Sequence, residues 1–225
     1  MREVLTMTSG FTTIDVAIGP KRLDGSLFLP QTPQGLITFA HGSGSSRFSP
    51  RNRYVAERLV AQGFACLLFD LLTAEEGEFR RNVFDIPLLG ARVVEAIAWA
   101  GAQRDVSRLP IGLFGASTGA AAALVAAADE PRVAAVVSRG GRPDLAGDAL
   151  PRVQAPTLLI VGGLDYGVIE LNRDAQQLLR CRSRLDIVPG ATHLFEEPGT
   201  LDSVVERATL WFDEYLGAAP DVADA

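Results

Sequence analysis

Hydrophobic runs and amphipathic stretches alternate along the whole chain. Thr12–Ile18 and Gly25–Pro30 flank a turn-like stretch at Pro20–Asp24 and predict an antiparallel hairpin. Further on, short, almost wholly apolar runs predict buried strands at Leu36–Ala40, Phe64–Phe69, Pro110–Phe114, Val133–Val137, Pro156–Val161 and Arg184–Val188. Between them, apolar positions recur at helical spacing over Arg51–Gln62, Asp85–Gln103, Ser117–Ala128 and Val168–Leu179, with a final helix at Leu201–Leu216. Ser49-Pro50 opens the first of these helices and Gly63 stops it. The polar stretch Thr73–Asn82 is expected to be a loop.

Strands buried on both faces and alternating with helices imply a mainly parallel central sheet flanked by helices on both faces, with an N-terminal antiparallel hairpin. No repeat, linker or break in composition divides the 225 residues, so one α/β domain over 1–225 is expected, with 217–225 a frayed tail. Open parallel sheets bind ligands beyond the carboxyl ends of their strands, which directs the search for chemistry to the loops there.

Composition narrows the class only a little. The longest apolar run, Ala120–Ala128, is nine residues, well short of a bilayer span. The charged start, Met1-Arg2-Glu3-Val4, leads into no signal-peptide core. A soluble, cytoplasmic protein is the expectation, without a membrane partner. The net charge of −6 speaks against a nucleic-acid partner, which would need clustered cations. Lys21 is the only lysine among 21 basic residues, a bias that reads as genomic composition. Two cysteines, Cys66 and Cys181, form neither a disulfide framework nor a zinc pattern, and no metal site is expected.

The loops carry sharper signals. Gly115-Ala116-Ser117-Thr118-Gly119 is a G-x-S-x-G pentapeptide between a strand and a helix, the context in which that motif exposes a nucleophilic serine on a strained turn. Only His41 and His193 could serve it as base. His193 follows the last strand, in Gly190-Ala191-Thr192-His193, and is the candidate. Asp165, closing Gly162-Gly163-Leu164-Asp165, is the candidate acid that would orient it, with Asp144 the weaker alternative. Ser117, Asp165, His193 is the serine–acid–histidine order of α/β-hydrolases, and each falls at a strand's carboxyl end. His41-Gly42-Ser43-Gly44-Ser45-Ser46 occupies the position of the oxyanion loop, so the backbone N–H groups of Ser43 and Thr118 are the expected oxyanion hole. His41 is expected to orient that loop by hydrogen bonding. Arg47, Arg139 and Arg142 fall near the same edge, where a guanidinium could hold a substrate carboxylate. Arg47, Arg139 and Tyr166 are carried as candidate substrate contacts, with Leu71 and Phe79 as further possible walls.

These motifs resemble the α/β-hydrolases, and within them the dienelactone-hydrolase-like group, over nearly the whole chain, Thr12–Leu216. Phe69-Asp70-Leu71-Leu72-Thr73 and Asn82-Val83-Phe84-Asp85-Ile86 are similar to the same group. The resemblance implies hydrolysis of ester, lactone or related acyl bonds in a small-molecule substrate, with no metal or organic cofactor. One departure matters: dienelactone hydrolases proper carry cysteine as nucleophile where this chain has Ser117. Serine hydrolysis therefore stands, and dienelactone itself does not follow. Acyl transfer or thioester hydrolysis would use the same three residues. About 18 residues separate Val137 from Pro156, too few for a cap domain, so an open site is expected.

A dinucleotide-binding reading fares worse. Gly42-x-Gly44 and the terminal Asp70 imitate the fingerprint, but Arg47 stands at the third glycine, and Ser117, Asp165 and His193 would go unexplained. A hydrolase scaffold kept only for interaction would be expected to have lost one of the three, and all are present.

Overall fold

The computed structural model describes residues 6–8 and 10–217. One nine-stranded sheet runs through it, in the order β1-β2-β3-β5-β4-β6-β7-β8-β9. Strands β1 (Thr6–Thr8), β2 (Phe11–Ile18) and β3 (Leu23–Pro30) form an antiparallel edge, and β3 joins β5 antiparallel. From β5 (Phe64–Phe69) onward every pairing is parallel, through β4 (Gly35–Ala40), β6 (Ile111–Ala116), β7 (Val133–Arg139), β8 (Thr157–Gly162) and β9 (Ser183–Val188). The carboxyl ends of these six strands therefore share one edge.

Helices cover both faces, as the apolar strands require. On one face α1 (Pro50–Ala61) and α7 (Thr200–Leu216) bury Val55, Leu59, Val204 and Phe212 against Phe39, Phe64 and Phe114 of the sheet. On the other, α4 (Ile86–Gly101), α5 (Thr118–Asp129) and α6 (Tyr166–Leu178) enclose a second core with Leu36, Leu113 and Val136. Helix α5 is buried almost all round, which explains its alanines: small side chains let the sheet and α4 approach together. A Cβ on Gly90 of α4 would stand 2.7 Å from Val125 of α5, so no larger residue fits that crossing.

Three features depart from the sequence expectation. Strand β1 pairs Thr6–Thr8 with Phe11–Thr13, a ladder too short and polar to show as a periodic run. The stretch read as a loop after β5 holds two short helices, α2 (Ala74–Gly77) and α3 (Arg80–Val83). Helix α2 is started by a capping box, with Thr73 Oγ1 accepting from the Glu76 N–H and Glu76 reaching back to the Thr73 N–H, each at 3.1 Å. Between β7 and β8, where no helical element was expected, lies a 3-10 segment, Pro143–Arg152; that no cap domain stands there agrees with the expectation. Of the expected tail, Gly217 caps α7 and residues 218–225 lie outside the described residues.

Candidate active site

The shared edge brings the serine, acid and histidine candidates onto neighbouring loops. Ser117 is the N-cap of α5, held at φ 52°, ψ −123°, a conformation that a non-glycine residue adopts only when its surroundings enforce it. Here they do. The Ser117 N–H donates to the Arg139 carbonyl at 3.3 Å, and the Ser117 carbonyl accepts from Ala120 at 3.1 Å and Arg142 at 3.0 Å. The flanking glycines are demanded by contact. A Cβ on Gly115 would stand 2.8 Å from the Ala120 nitrogen, and one on Gly119 would stand 2.6 Å from the Ala40 carbonyl carbon. The serine side chain makes no capping bond, which leaves its hydroxyl available to the site.

Asp165 follows β8 and His193 follows β9, adjacent strands, and the two side chains meet at 2.7 Å between Asp165 Oδ2 and His193 Nδ1. A carboxylate only accepts, so Nδ1 is the ring nitrogen that donates and Nε2 is the one left to face the site. The two loops are laced together by the Leu164 N–H donating to the Ala191 carbonyl at 2.9 Å, and Gly162 passes so close to Ala191 and Thr192 that no side chain fits there. The His193 loop is further closed by Thr192, whose hydroxyl and N–H both donate to Glu197, at 2.6 and 3.1 Å. Asp144, the alternative acid, is held by Arg142 through two bonds of 2.8 and 2.7 Å, an attraction that also raises the Arg142 pKa.

The oxyanion candidates are also neighbours. The Ser43 N–H donates to Thr118 Oγ1 at 2.8 Å, which ties the loop after β4 to the first residue of α5. The Thr118 N–H, at a helix N-terminus, has no intrahelical acceptor. A Cβ on Gly42 would lie 3.0 Å from Ser117 Cβ and 3.7 Å from its Oγ, so only glycine leaves the space above the serine clear. His41 lies behind this loop: the Leu71 N–H donates to its Nε2 at 3.1 Å, and Nδ1 is 3.0 Å from the Gly42 carbonyl, to which it therefore donates. Both ring nitrogens are thus in use, and burial above all lowers its pKa and favours the neutral ring, as a structural strut requires.

A cavity of about 500 Å³ is lined by His41, Gly42, Ser43, Arg47, Asp70 and Leu71 together with residues of α2 and α3; Ser117, Asp165 and His193 are not among its lining residues. Arg47 lines it, but its guanidinium is paired with Asp70 and lies 3.7 Å from Asp24. Arg139, expected as a substrate contact, is 5% exposed and donates to Asn52 Oδ1 at 3.0 Å. Tyr166 does not line the cavity either. It is exposed, as are Phe48, Phe79, Phe84, Leu164 and Leu194, all on segments that follow strand ends. Among the described residues no cluster of His, Cys, Asp and Glu has the arrangement to hold a metal ion, and no helix is long and apolar enough to cross a membrane.

Three functional features escaped the sequence reading. The Thr118 hydroxyl bond to Ser43 and the Asn52–Arg139 contact join residues 75 and 87 positions apart, and nothing local signals them. The short helices that help line the cavity did have a signal, the Thr73-x-x-Glu76 capping box.

A Mycobacterium tuberculosis protein with the provisional name phosphoribosyl transferase is 60% identical over 205 residues, which are 90% of this chain and 46% of that protein. This chain thus spans about half the length of the curated relatives it matches at that level. A crystal structure of dienelactone hydrolase from Anabaena variabilis is 55% identical, covering 92% of this chain and 98% of that one with a TM-score of 0.87. Est1E from Butyrivibrio proteoclasticus, 17% identical, shares the fold over 92% of this chain and 98% of its own, with a TM-score of 0.72. The model of the dienelactone hydrolase family matches residues 23–214, and the chain belongs to that hydrolase family, with its α/β-hydrolase fold.

Proposed function

We propose that this protein is a serine hydrolase that cleaves ester or lactone bonds of small, partly apolar substrates through an acyl-enzyme. The observation that carries this reading is the 2.7 Å Asp165–His193 bond on loops beside a serine held at positive φ. In the proposed reaction His193 Nε2 takes the Ser117 proton as Oγ attacks the carbonyl carbon, and Asp165 stabilises the imidazolium. The negative oxygen of the tetrahedral adduct takes the Thr118 and Ser43 N–H groups, displacing the Thr118 hydroxyl from the latter. Loss of one such donor costs about 2.7–4 kcal/mol of barrier. The imidazolium returns its proton to the leaving alkoxide oxygen. Water, deprotonated by the same nitrogen, then attacks the acyl-serine, and the imidazolium returns that proton to Ser117 Oγ as the acid leaves.

The large apolar side chains exposed on segments after strand ends and the cavity lined by Gly42 support a substrate with an apolar portion, and the absence of a cap between β7 and β8 supports open access. The phosphoribosyl name belongs to relatives about twice as long. We read it as describing the part this chain does not cover, because the shared stretch is the hydrolase-family stretch.

Fluorophosphonate labelling of the wild type and of Ser117→Ala, followed by an ester and lactone panel, tests the reading. Labelling and turnover should both vanish in the variant. Undiminished labelling in Ser117→Ala would place the nucleophile elsewhere.

A further inference from the structure

Arg139, the last residue of β7, meets Ser117 of the proposed triad through its backbone and a neighbour of His193, Phe195, through its side chain. Its carbonyl accepts the Ser117 N–H at 3.3 Å and so helps hold the strained turn. Its side chain passes to the other face of the sheet, where the guanidinium donates to Asn52 on the first turn of α1 and lies 5.9 Å from the centroid of the Phe195 ring. Phe195 is two residues beyond His193, 2% exposed and itself at φ 56°. The loop is gripped twice more from the same side. Arg51, next to Asn52, reaches Glu196 at 3.1 Å. Gly140, directly after Arg139, runs so close beneath the loop that a Cβ would stand 3.1 Å from the His193 carbonyl and 3.4 Å from the Phe195 ring.

The place is unfavourable for a cation. Among the described residues no carboxylate pairs with Arg139, and its buried Nε has no partner. It sits at the amino end of α1, where the helix dipole repels positive charge, and beside a second arginine. Burial, and then the charge of Arg51, push the guanidinium pKa down to about 10. A buried charge without a counter-charge lowers stability relative to an apolar side chain of similar length. The contacts it makes, a ring face and an amide oxygen, fix direction more than they add stability.

We infer that Arg139 is a positioning residue: through Phe195 and Asn52 it holds the His193 loop in register with the Ser117 turn, at a net cost in stability. The inference rests on the proposed triad. A displacement of about 1 Å between reacting groups costs about 100-fold in rate. Removing the anchor should therefore lower kcat and spare both substrate binding and folding.

The test compares Arg139→Met, Arg139→Lys, Phe195→Leu and the double variant with wild type, reading kcat, KM and Tm with an aryl ester and the rate of fluorophosphonate labelling. Arg139→Met should lose about 10- to 100-fold in kcat and in labelling rate, keep KM, and melt at or above the wild-type temperature. Arg139→Lys, which can still reach Asn52 and the ring, should recover part of kcat. Phe195→Leu should reproduce the loss, and the double variant should be no worse than the worse single. Wild-type kcat in Arg139→Met, or a loss that follows a lowered Tm and is not relieved by lysine, would overturn the inference. Should Arg139→Met fail to fold, unchanged kcat in Phe195→Leu would overturn it equally. An unlabelled wild type would remove the triad itself. A labelled wild type with an unimpaired Arg139→Met would remove only the role given to Arg139.

Discussion

Replacement of Asp165 by Asn probes the triad most sharply, because shape is kept while charge and hydrogen-bond direction change. Asp165 stands at the N-cap position of α6, yet its side chain makes no capping bond and is directed instead to His193 Nδ1 at 2.7 Å. Two effects follow from its loss. The first is charge: a carboxylate and an imidazolium centred about 4 Å apart attract by about 4 kcal/mol at an effective dielectric of about 20. Side-chain exposures of 17% for Asp165 and 38% for His193 admit solvent screening, so that about 10²–10³ of the rate depends on the charge. The second is direction. An asparagine amide can donate to Nδ1, which moves the ring proton to Nε2 and removes the lone pair that must accept from Ser117. Together they bring the loss in kcat to about 10³–10⁴. Steady-state hydrolysis of a chromogenic aryl ester measures it, with KM expected within a few-fold of wild type and Tm within a few degrees. Asp144→Asn is the control, and should change kcat less than tenfold, because Arg142 already occupies that carboxylate. Retention of more than a tenth of the wild-type kcat by Asp165→Asn would refute the assignment.

Other positions make separate predictions. Thr118→Val removes the acceptor of the Ser43 N–H and should destabilise by about 1–3 kcal/mol in urea unfolding, whereas Thr118→Ser should not; equal stability of all three would show that this bond is not made. Gly119→Ala drives a Cβ into the backbone of Ala40 and His41, which cannot swing aside, so a loss of about 3 kcal/mol or more is expected in the same assay. The pKa of His41 is lower folded than its ordinary 6.5, chiefly through burial, so the unfolded chain binds its proton first as pH falls. The stability it contributes is therefore full above about pH 6.5 and is lost on acidification below it. Melting temperatures across pH 5–7.5 should fall less steeply for His41→Gln than for wild type.

The sequence revealed what local chemistry encodes and missed what only packing creates. The strands showed because burial on both faces makes them continuous apolar runs, and the serine turn showed because Gly115 and Gly119 are required by contacts that recur wherever a strand meets a helix so closely. His41 could be separated from His193 by position alone, and its two hydrogen bonds agree with a strut's role. The arginines were a different matter. Arg139 and Arg47 both lie near strand ends, and nothing in a one-dimensional pattern says which side of the sheet a guanidinium of that length will reach. Residues on opposite sides of that edge differ by one position, since successive strand side chains alternate faces. Arg139 took the α1 side, and Arg47 found Asp70 and Asp24. The exposed apolar residues were equally unreadable: Phe48, Phe84 and Leu194 are scattered over nearly 150 positions, and only the parallel order of the sheet puts the segments that carry them after strand ends of one edge.

That gathering divides the edge into two parts with opposite mechanical demands. Beneath the proposed triad the backbone is over-determined. Three hydrogen bonds hold Ser117, glycines stand where a Cβ would meet main chain, and the Asp165 and His193 turns are bonded to each other. Any side chain added there meets backbone, so the floor tolerates little change. By contrast, Phe48, Phe79 and Tyr166 are about half exposed or more and contribute no strand pairing, so their replacement should leave that floor undisturbed. Surface substitutions of this kind change stability by about 0.5 kcal/mol or less. If the proposed function holds, a fold without a cap leaves substrate selection to exposed side chains of this kind and to the short α2 and α3 helices. The chemistry depends on main-chain geometry that those side chains do not touch. Selectivity and turnover should accordingly be separable by mutation to a degree that a capped enzyme, whose lid contributes to both, does not permit.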